Sequence, residues 1–581
     1  MRAMVTKENQ LNSTKPSVRK RLRLWPGILI AILILLLRYA IPAVFPEFLI
    51  LGIFSGLGCG LLVLVWWAFL SRASMIERLG GTLLLIAAPI VASLFLHQSI
   101  AMGGQGMMFP IQCVPVISLV FIAWAIVTMK FCTGVRRWSM VASIILVSGV
   151  WILLRNDGIT GDFSPDLVWR WSKTSEERLI AQEGNTTLEL ATATVVLDSM
   201  SEWPGFRGPN RDGIAHGLNI GTDWTASPPI EIWRRPVGPG CSSFAVNGNY
   251  FFTQEQRGED ELVSCYNLST GDPVWKHSDS ARFWDSHAGA GPRATPTLHK
   301  GRVYTMGGTG ILNALDATDG SLIWSRFAAA DCETQPSGWG YTSSPLVVDS
   351  IVIVGIVGKL AAYDLETGEP RWFGPDGGFG YSSPQLFTIG GVRQVLLMSQ
   401  SGATSIEPAS GRILWEYPWP VEDRILQPAL VVENDLLFSK EYEGVRRVSV
   451  SQNGDKYSVK ELWTSSEMKV DFNDQVIYDG YAYGYDGPYL TCLDLNNGKR
   501  MWKGKRYRGW NLLLAGQGLI LVLSEKGDLA LVNATPDKFT ELGKIKAIEG
   551  RTWNHPALAG NILLARNSEE MVAYRLSPAG N

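Results

Sequence analysis

A short repeated unit constrains the fold more than any other feature of this sequence. It consists of an alternating apolar strand, an aspartate, a glycine four positions later and a tryptophan four positions after the glycine. The aspartate can accept amide hydrogens in a tight turn, and the glycine supplies the positive φ that such a turn needs. The tryptophan ends the next strand, where it can pack flat between neighbouring sheets. Clear copies occupy residues 312–324, 360–372 and 490–502.

Looser copies fill the gaps between the clear ones, so the unit recurs at a nearly constant interval. They end at Trp275, Trp415 and Trp463, and a degenerate copy follows Leu529. From Trp275 onward the anchoring tryptophans follow one another after 49, 48, 43, 48 and 39 residues. Two further strands precede each motif, as at residues 302–306. Four strands in roughly 45 residues are the pattern of a β-propeller blade.

Counting these units predicts an all-β propeller of eight blades. Six Trp-anchored blades end near residue 502, and a seventh runs over residues 510–542. The last blade has three strands at the C-terminus, in residues 553–576. We expect the segment 229–233 to supply its fourth strand, so that the two ends of the domain close the ring and leave no exposed sheet edge. Seven blades is the alternative count.

The first third of the chain contains five apolar stretches that are long enough to cross a bilayer, for which roughly 20 residues are needed. A cleavable signal peptide accounts for one such stretch and not for five. The sequence therefore predicts five transmembrane helices. They occupy residues 24–41, 48–70, 79–96, 111–129 and 140–154.

The loop charges predict how these helices are oriented. The N-terminal tail, the second connection and the fourth connection carry lysine and arginine, whereas the first and third connections carry none. Positive loops remain on the cytoplasmic side, so the N-terminus is expected in the cytoplasm. With five spans, the chain after residue 154 then lies outside. We expect a multi-pass protein of the inner (cytoplasmic) membrane with its propeller in the periplasm.

These patterns divide the chain into four segments. A basic cytoplasmic tail is expected at residues 1–23, five transmembrane helices at 24–155, a linker with one short helix at 156–200, and the PQQ-like propeller described below at 201–581. Arg38 lies inside the first span. We interpret it as a residue that snorkels to the outer face. A role in a quinone or proton path is the alternative.

The composition argues against several classes of function. A formal net charge of −2 offers no basic face for a nucleic acid. The seven cysteines form no CxxC pair and the six histidines are dispersed, so no metal site is predicted. One isolated disulfide between Cys241 and Cys265 stays open. No G-x-S-x-G nucleophile motif occurs.

The Asp-x-x-Thr-Gly-x-x-x-Trp form of the unit, as at residues 364–372, resembles the PQQ-type repeat, named after pyrroloquinoline quinone. Residues 203–576 resemble compact PQQ-like propeller proteins, which include the BamB-like propeller lipoprotein of the bacterial barrel-assembly machine. The segment 203–213 looks like an opening motif of such proteins from planctomycete-like bacteria. Five spans before the propeller resemble the layout of membrane-bound quinoprotein glucose dehydrogenase. Because the repeat itself is structural, the resemblance implies the fold more strongly than the function.

The residues that open the innermost strand of each blade are expected to ring a funnel at one end of the central channel. Arginines, amides and aromatic planes that converge there would suit an anionic, planar ligand. The simpler interpretation is that these residues close turns and hydrogen-bond the rim. The candidate residues are Asp285, Arg293, Trp339, Tyr341, Tyr381, Arg424, Asn473, Asp474, Trp510 and His555.

The quinoprotein resemblance implies one function for such a funnel, a PQQ-dependent sugar or alcohol dehydrogenase that passes electrons to quinone. That enzyme needs PQQ, a stacking tryptophan, Ca²⁺ held by carboxylate and amide oxygens, and an aspartate as general base. The resemblance then implies Asp474 and Asp285 as catalytic groups, and Trp339, Tyr341, Tyr381, Arg293, Arg424, Asn473, Trp510 and His555 as cofactor-binding groups.

Three departures favour a non-catalytic function instead. The blades are short, about 43 residues each, and the sequence has neither a vicinal cysteine pair nor a CxxCH haem motif. We therefore expect a membrane-anchored binding or assembly scaffold with a protein or polymer partner at the funnel, no nucleic-acid partner and no cofactor. The dehydrogenase with PQQ and Ca²⁺ is the alternative, and sensing of a small ligand through the five helices ranks last.

Overall fold

The structure, a computed structural model, describes residues 22–45, 48–185, 195–198, 202–420, 428–441 and 443–579. It divides into two compact units, Met1–Ser172 and Lys173–Asn581. The first unit is mainly helical, and the second is a β-propeller.

Five helices of the first unit are long and apolar enough to cross a membrane, so the five predicted helices are confirmed. Polar residues extend two of them beyond the predicted bounds. The third begins at Met75 because Ser74 and Glu77 cap each other's backbone N–H groups. Glu77 also pairs with Arg136 at 2.5 Å. This ion pair neutralises the positive charge of Arg136 in the first turn of the fifth helix, which begins at Thr133. The helices are α1 (Trp25–Val44), α2 (Leu49–Leu70), α3 (Met75–Ser93), α4 (Met108–Lys130) and α5 (Thr133–Leu153).

A β-hairpin follows α5, in the stretch where the sequence predicts a linker. Its strands, Leu154–Ile159 and Pro165–Trp169, pair antiparallel. The second unit begins with a helix at Ser175–Asn185, close to the short helix that the sequence predicts. Glu176 of this helix pairs with Arg282 at 2.8 Å, which ties the helix to the first blade. Shorter helices lie at Gln98–Ala101 and Ala328–Asp331.

Eight blades, each with four antiparallel strands, make up most of the second unit within the described residues, which confirms eight blades over seven. A short strand, Ile214–Ala215, adds in parallel to the blade that contains Trp510–Leu514, and Trp284–Asp285 pairs with Gly289–Ala290 in a separate two-stranded sheet. First strands of neighbouring blades contact one another, so they form the inner ring around the channel. Blades 1 to 4 consist of Ala245–Asn247, Tyr250–Arg257, Asp260–Asn267 and Pro273–Asp279; Thr297–His299, Arg302–Met306, Ile311–Asp316 and Leu322–Phe327; Leu346–Val348, Ile351–Ile356, Lys359–Asp364 and Pro370–Phe373; and Gln385–Ile389, Val392–Ser399, Gly402–Ile406 and Ile413–Pro418.

Blades 5 to 8 continue the same meander, and the chain ends of the domain meet in the last of them. Ile230–Pro236 pairs with Glu570–Arg575, with Trp233 opposite Ala573, so the predicted ring closure is confirmed. The strands of these blades are Ala429–Val432, Asp435–Lys440, Gly444–Asn453 and Lys456–Ser465; Val476–Tyr478, Tyr481–Asp486, Tyr489–Asp494 and Arg500–Arg506; Trp510–Leu514, Leu519–Leu523, Asp528–Asn533 and Glu541–Lys546; and Ala557–Ala559, Ile562–Arg566, Glu570–Arg575 and Ile230–Pro236.

The tryptophan and glycine of the repeat contact each other across the blade interfaces. Gly368 has a φ of 72°, and a Cβ atom there would lie 2.6 Å from the Trp324 ring of the preceding blade. Trp324 Nε1 donates to the Leu365 carbonyl of the same turn at 3.1 Å. Asp364 accepts the turn N–H of Thr367 at 2.9 Å, as predicted. The same contact, with separations of 2.4–2.7 Å, recurs at Trp233–Gly271, Trp275–Gly320, Trp372–Gly411 and Trp463–Gly498.

A buried arginine joins blade 8 to blade 1 where the ring closes. Arg566 is fully buried and donates to Thr253 Oγ1, the Gln254 carbonyl and the Gly238 carbonyl at 2.6, 2.9 and 2.8 Å. Glu255 beside it is also fully buried. Burial raises the pKa of Glu255, but the guanidinium groups around it and its hydrogen bonds outweigh this effect and hold the pKa at about 2. The closure therefore depends on a satisfied polar network.

Residues 203–213 cross the central channel, and we call them the plug segment. Trp203 bridges to blade 1, and the Gly213 carbonyl accepts an N–H from blade 7 at 2.9 Å. Arg207 donates to a carbonyl of blade 6 at 2.8 Å. Arg211 donates to two carbonyls of blade 3 at 2.7 and 3.0 Å. The plug segment therefore bridges the channel between several blades and provides a floor for a cavity at its end.

Candidate functional site

A cavity of about 170 Å³ lies where the innermost strands begin, which is the predicted position of the funnel. Within the described residues, its walls come from the plug segment and from blades 1 to 4 and 6 to 8. Six of the ten predicted site residues line it: Arg293, Trp339, Tyr381, Asp474, Trp510 and His555. The other lining residues are Phe206, Cys241, Ala288, Thr295, Thr342, Ser344, Ser383, Phe472 and Trp553.

A row of hydroxyl groups links neighbouring blades around this cavity. The Ser243 N–H donates to Thr295 Oγ1 at 3.1 Å, and the Thr295 N–H donates to Ser344 Oγ at 3.0 Å. The Ser344 N–H in turn donates to Ser383 Oγ at 2.9 Å. A proline follows the hydroxyl residue in blades 2, 3 and 4, and it favours extended backbone at that residue. The start of the inner strand is therefore fixed at the funnel wall.

Aromatic side chains form the flat parts of the wall. Trp339 and Tyr381 stack with ring centres 5.2 Å apart and an angle of 28° between the planes. Phe472 lies between Trp510 and Trp553, with ring centres 5.6 and 5.5 Å away. These planes come from blades 3, 4, 6, 7 and 8. The funnel therefore presents apolar faces to whatever enters it.

Asp474 is the carboxylate that lines the cavity in the described part of the chain. Its Oδ2 lies 3.3 Å from His555 Nε2 and 3.7 Å from Arg207 Nε. The His555 ring packs 3.6 Å from the Trp510 ring. Burial lowers the pKa of His555, and the raising effect of Asp474 only partly offsets this, so the imidazole is neutral at pH 7. Asp474 is thus held between a neutral imidazole and a guanidinium.

Asp285 and Arg293 form a closed pair below the rim. Arg293 Nη2 lies 2.5 Å from Asp285 Oδ2, and both side chains are buried. Asp285 Oδ1 accepts the N–H groups of His287 and Ala288 at 2.7 and 2.9 Å. Arg293 also donates to the Gly289 carbonyl at 2.6 Å. These contacts stabilise the short hairpin formed by Trp284–Asp285 and Gly289–Ala290. They match the simpler interpretation of the candidate residues, in which they close turns at the rim of the funnel.

Tyr341 and Asn473, like Asp285, are not among the described residues that line the cavity. Tyr341 is buried between blades, with its hydroxyl 2.9 Å from Thr334 Oγ1. Asn473 is fully buried and donates to the Gly509 carbonyl at 2.6 Å. Arg424 lies outside the described residues. The cavity therefore receives neither the Tyr341 hydroxyl nor the Asn473 amide.

The two cysteines considered for a disulfide both have free thiols. Cys265 is fully buried inside blade 1, whereas Cys241 is half-buried and lines the cavity. The disulfide that the sequence leaves open is therefore not formed in this structure.

Sequence reasoning missed several lining residues. Phe206 of the plug segment packs edge-on against His555, with ring centres 5.1 Å apart. Phe472 precedes the predicted Asn473 and was not among the candidates. The hydroxyl residues before proline, at Thr295, Ser344 and Ser383, repeat from blade to blade. That repetition could have predicted these hydroxyl residues as part of the funnel wall. No local pattern in the sequence predicts that Phe206 lies in the funnel.

The funnel does not fit Ca²⁺-bound PQQ in the part of the chain that the structure describes. Calcium takes six to eight oxygen ligands. Asp474 already contacts His555 and Arg207, Asp285 is closed by Arg293, and Asn473, which donates its amide N–H to the Gly509 carbonyl, does not line the cavity. The stacked Trp339 and Tyr381 remain suited to a planar or apolar group.

Known proteins that are similar in sequence to this chain support the resemblance suggested by the repeated unit. The family model described as "Outer membrane protein assembly factor BamB" matches residues 227–376 and 259–504. A curated outer membrane protein assembly factor BamB from Shewanella oneidensis is 25% identical over 307 residues, which are 51% of this chain and 66% of that protein. The alignment thus spans slightly less than two thirds of that relative.

The second group of relatives consists of enzymes. The quinohemoprotein alcohol dehydrogenase ADH-IIG from Pseudomonas putida is 27% identical over 190 residues, 31% of this chain and 25% of that protein. Among solved structures, BamB from Moraxella catarrhalis aligns with a TM-score of 0.44 and 14% identity, over 61% of this chain and 99% of that one. The second unit of this chain is an eight-bladed β-propeller, and residues 227–504 of it are similar to the BamB family model.

Proposed function

We propose that this protein is a membrane-anchored, non-catalytic scaffold whose funnel binds a protein or polymer partner. The pairing of the charged funnel groups within the protein carries this proposal. Asp285 is closed by Arg293, and Asp474 lies between His555 and Arg207. Aromatic planes line much of the cavity, and such groups support binding rather than proton transfer.

The BamB relatives support a partner that is itself a protein, since their name describes an assembly factor. The five apolar helices support anchorage in a membrane. The lysine and arginine in alternate connections favour a cytoplasmic N-terminus and support a propeller on the periplasmic side of the inner membrane. A partner in that compartment meets the funnel without crossing a bilayer.

Photocrosslinking from the funnel tests the scaffold. We expect benzoylphenylalanine in place of Trp339, in cells that express the full chain, to form a discrete crosslinked species with one polypeptide. Adding Tyr381→Ala should lower its yield several-fold, because the aromatic wall loses its stacked partner. Mass spectrometry identifies the species.

The control places the same photoreactive group at Phe327, which is 54% exposed on the outer strand of blade 2. That position should not give the same species. Equal crosslinking from both positions, or none from Trp339, would show that the funnel is not the binding surface.

The similarity to an alcohol dehydrogenase supports a PQQ-dependent dehydrogenase as the second candidate function. A PQQ titration distinguishes this enzyme from the scaffold. We expect no saturable heat when PQQ with excess Ca²⁺ is titrated into the folded full chain, because the funnel carboxylates are already paired. One-to-one binding at micromolar affinity that is lost in Asp474→Asn would overturn the scaffold and make the funnel an active site.

A further inference from the structure

Arg38 of α1 is buried among apolar residues in the helical unit. It is 9% exposed and lies in a seven-residue π-helical segment, Ile34–Ala40. Its Nε is buried without a hydrogen-bond partner. No side-chain hydrogen bond or ion pair joins Arg38 to another residue in the ranges that the structure describes. Its guanidinium carbon lies 5.6 Å from the centre of the Tyr39 ring. Short π-helical segments inside helices often mark functional positions, and a buried polar atom without a hydrogen-bond partner is costly.

The neighbouring helices are shaped to receive the Arg38 side chain. A Cβ atom at Gly56 of α2 would lie 3.1 Å from Arg38 Cδ and 3.0 Å from Pro115 Cγ of α4. Any larger residue at Gly56 would therefore displace the arginine stem or the proline. Gly58, two positions further on, has no atom within 4 Å of such a Cβ. The glycine at 56 thus provides a cradle for the Arg38 stem.

The membrane-spanning segment, residues 25–153, offers Arg38 no partner anion in its described part. Residues 25–153 contain two acidic residues, Glu47 and Glu77. Glu77 pairs with Arg136 at 2.5 Å, near the start of α3. Glu47 lies outside the described residues. A counter-charge for Arg38 must therefore come from another molecule or from beyond the described ranges.

The position of Arg38 along α1 suits a lipid headgroup. It precedes the end of the helix at Val44 by six residues, which is about 9 Å at 1.5 Å per residue. Gly56 follows the start of α2 at Leu49 by seven residues, so both lie at the same depth below the same helix ends. Arginine recognises phosphate oxygens through two parallel N–H donors.

We propose that Arg38, cradled by Gly56, binds the phosphate group of a membrane phospholipid at the outer ends of α1 and α2. The inference rests on the proposed membrane anchorage. It assigns to the helical unit a specific lipid site in addition to its role as an anchor. The phosphate supplies the charge that the surrounding helices lack.

Native mass spectrometry of the full chain in detergent tests this site, with dioctanoyl phosphatidylglycerol as the probe. We expect one saturable lipid adduct. Its affinity should fall about tenfold or more in Arg38→Gln, and by a similar factor in Gly56→Ala, where the charge is kept but the cradle is filled. Gly58→Ala is the matched control and should bind like the natural sequence. Arg72→Gln controls for the loss of one exposed arginine.

Two further probes identify the source of the phosphate. Dioctanoylglycerol, which lacks phosphate, should give no saturable adduct, and equal binding of this probe would overturn the proposal. Displacement of the lipid by inorganic phosphate at equal concentration would overturn the lipid assignment. Unchanged lipid binding in Arg38→Gln, with the propeller unfolding at its normal temperature, would also overturn it.

Alkaline extraction of membranes tests the underlying anchorage separately. Release of the natural chain by carbonate would show that the anchorage itself is wrong. Retention in the membrane together with Arg38-independent lipid binding would refute the lipid site alone.

Discussion

Replacing Arg566 with methionine is expected to lower the free energy of unfolding of the propeller by about 3–5 kcal/mol. The side chain is fully buried, and three of its four hydrogen bonds, at 2.6–2.9 Å, join blade 8 to blade 1 and to the connection that precedes blade 1. Methionine fills a similar volume but leaves three buried oxygen atoms without donors. It also removes one of the cations around the buried Glu255. Urea unfolding of the full chain, followed by tryptophan fluorescence, measures the change.

Arg393→Met is the matched control for this variant. Arg393 pairs with Asp349 at 2.9 Å, but the two side chains are 49% and 69% exposed. Removing an exposed pair should cost about 0–1 kcal/mol. If Arg566→Met and Arg393→Met lowered the free energy of unfolding equally, the buried contact between blade 8 and blade 1 would not be a main source of propeller stability.

Gly368→Ala is expected to destabilise the propeller by about 3 kcal/mol. The residue has a φ of 72°, where an L side chain costs about 1–2 kcal/mol. The new Cβ would also lie 2.6 Å from the Trp324 ring, and such overpacking costs about 1–3 kcal/mol. The same Trp–Gly contact recurs between other blades. The loss of unfolding free energy in this one variant therefore estimates how much each such contact contributes to stability.

Gly480→Ala separates the two causes. Gly480 also has a positive φ, 80°, in a blade turn, but a Cβ there meets no atom within 4 Å. Its cost should therefore be only the backbone strain of about 1–2 kcal/mol. A Gly368→Ala loss no greater than that of Gly480→Ala would contradict the Trp–Gly packing as a source of stability.

The site was partly predictable from the sequence. Trp339, Tyr381, Asp474, Trp510 and His555 precede or open inner strands, so the blade pattern placed them at the funnel, where they line the cavity. Tyr341 and Asn473 occupy equivalent positions but turn into the blade interfaces. Neighbouring residues in an extended chain point to opposite sides, and a shift of one position decides which of them meets the channel.

The sequence by itself determined the eight blades, the five helices and the closure of the ring, which was predicted at residues 229–233 and is observed at Ile230–Pro236. These features follow from hydrophobic periodicity and from a repeated turn, both of which act over a few residues. It also determined the roles of the repeated aspartate, glycine and tryptophan. The aspartate and the glycine act within a turn, and the tryptophan packs against the glycine of the next repeat.

Only the tertiary structure decided which groups are free to bind. Arg207 of the plug segment reaches a carbonyl 268 positions away in blade 6, and its guanidinium faces Asp474. The cradle that Gly56 provides for Arg38 depends in the same way on helix packing. Such contacts depend on how distant segments meet in three dimensions, and no local pattern in the chain records them.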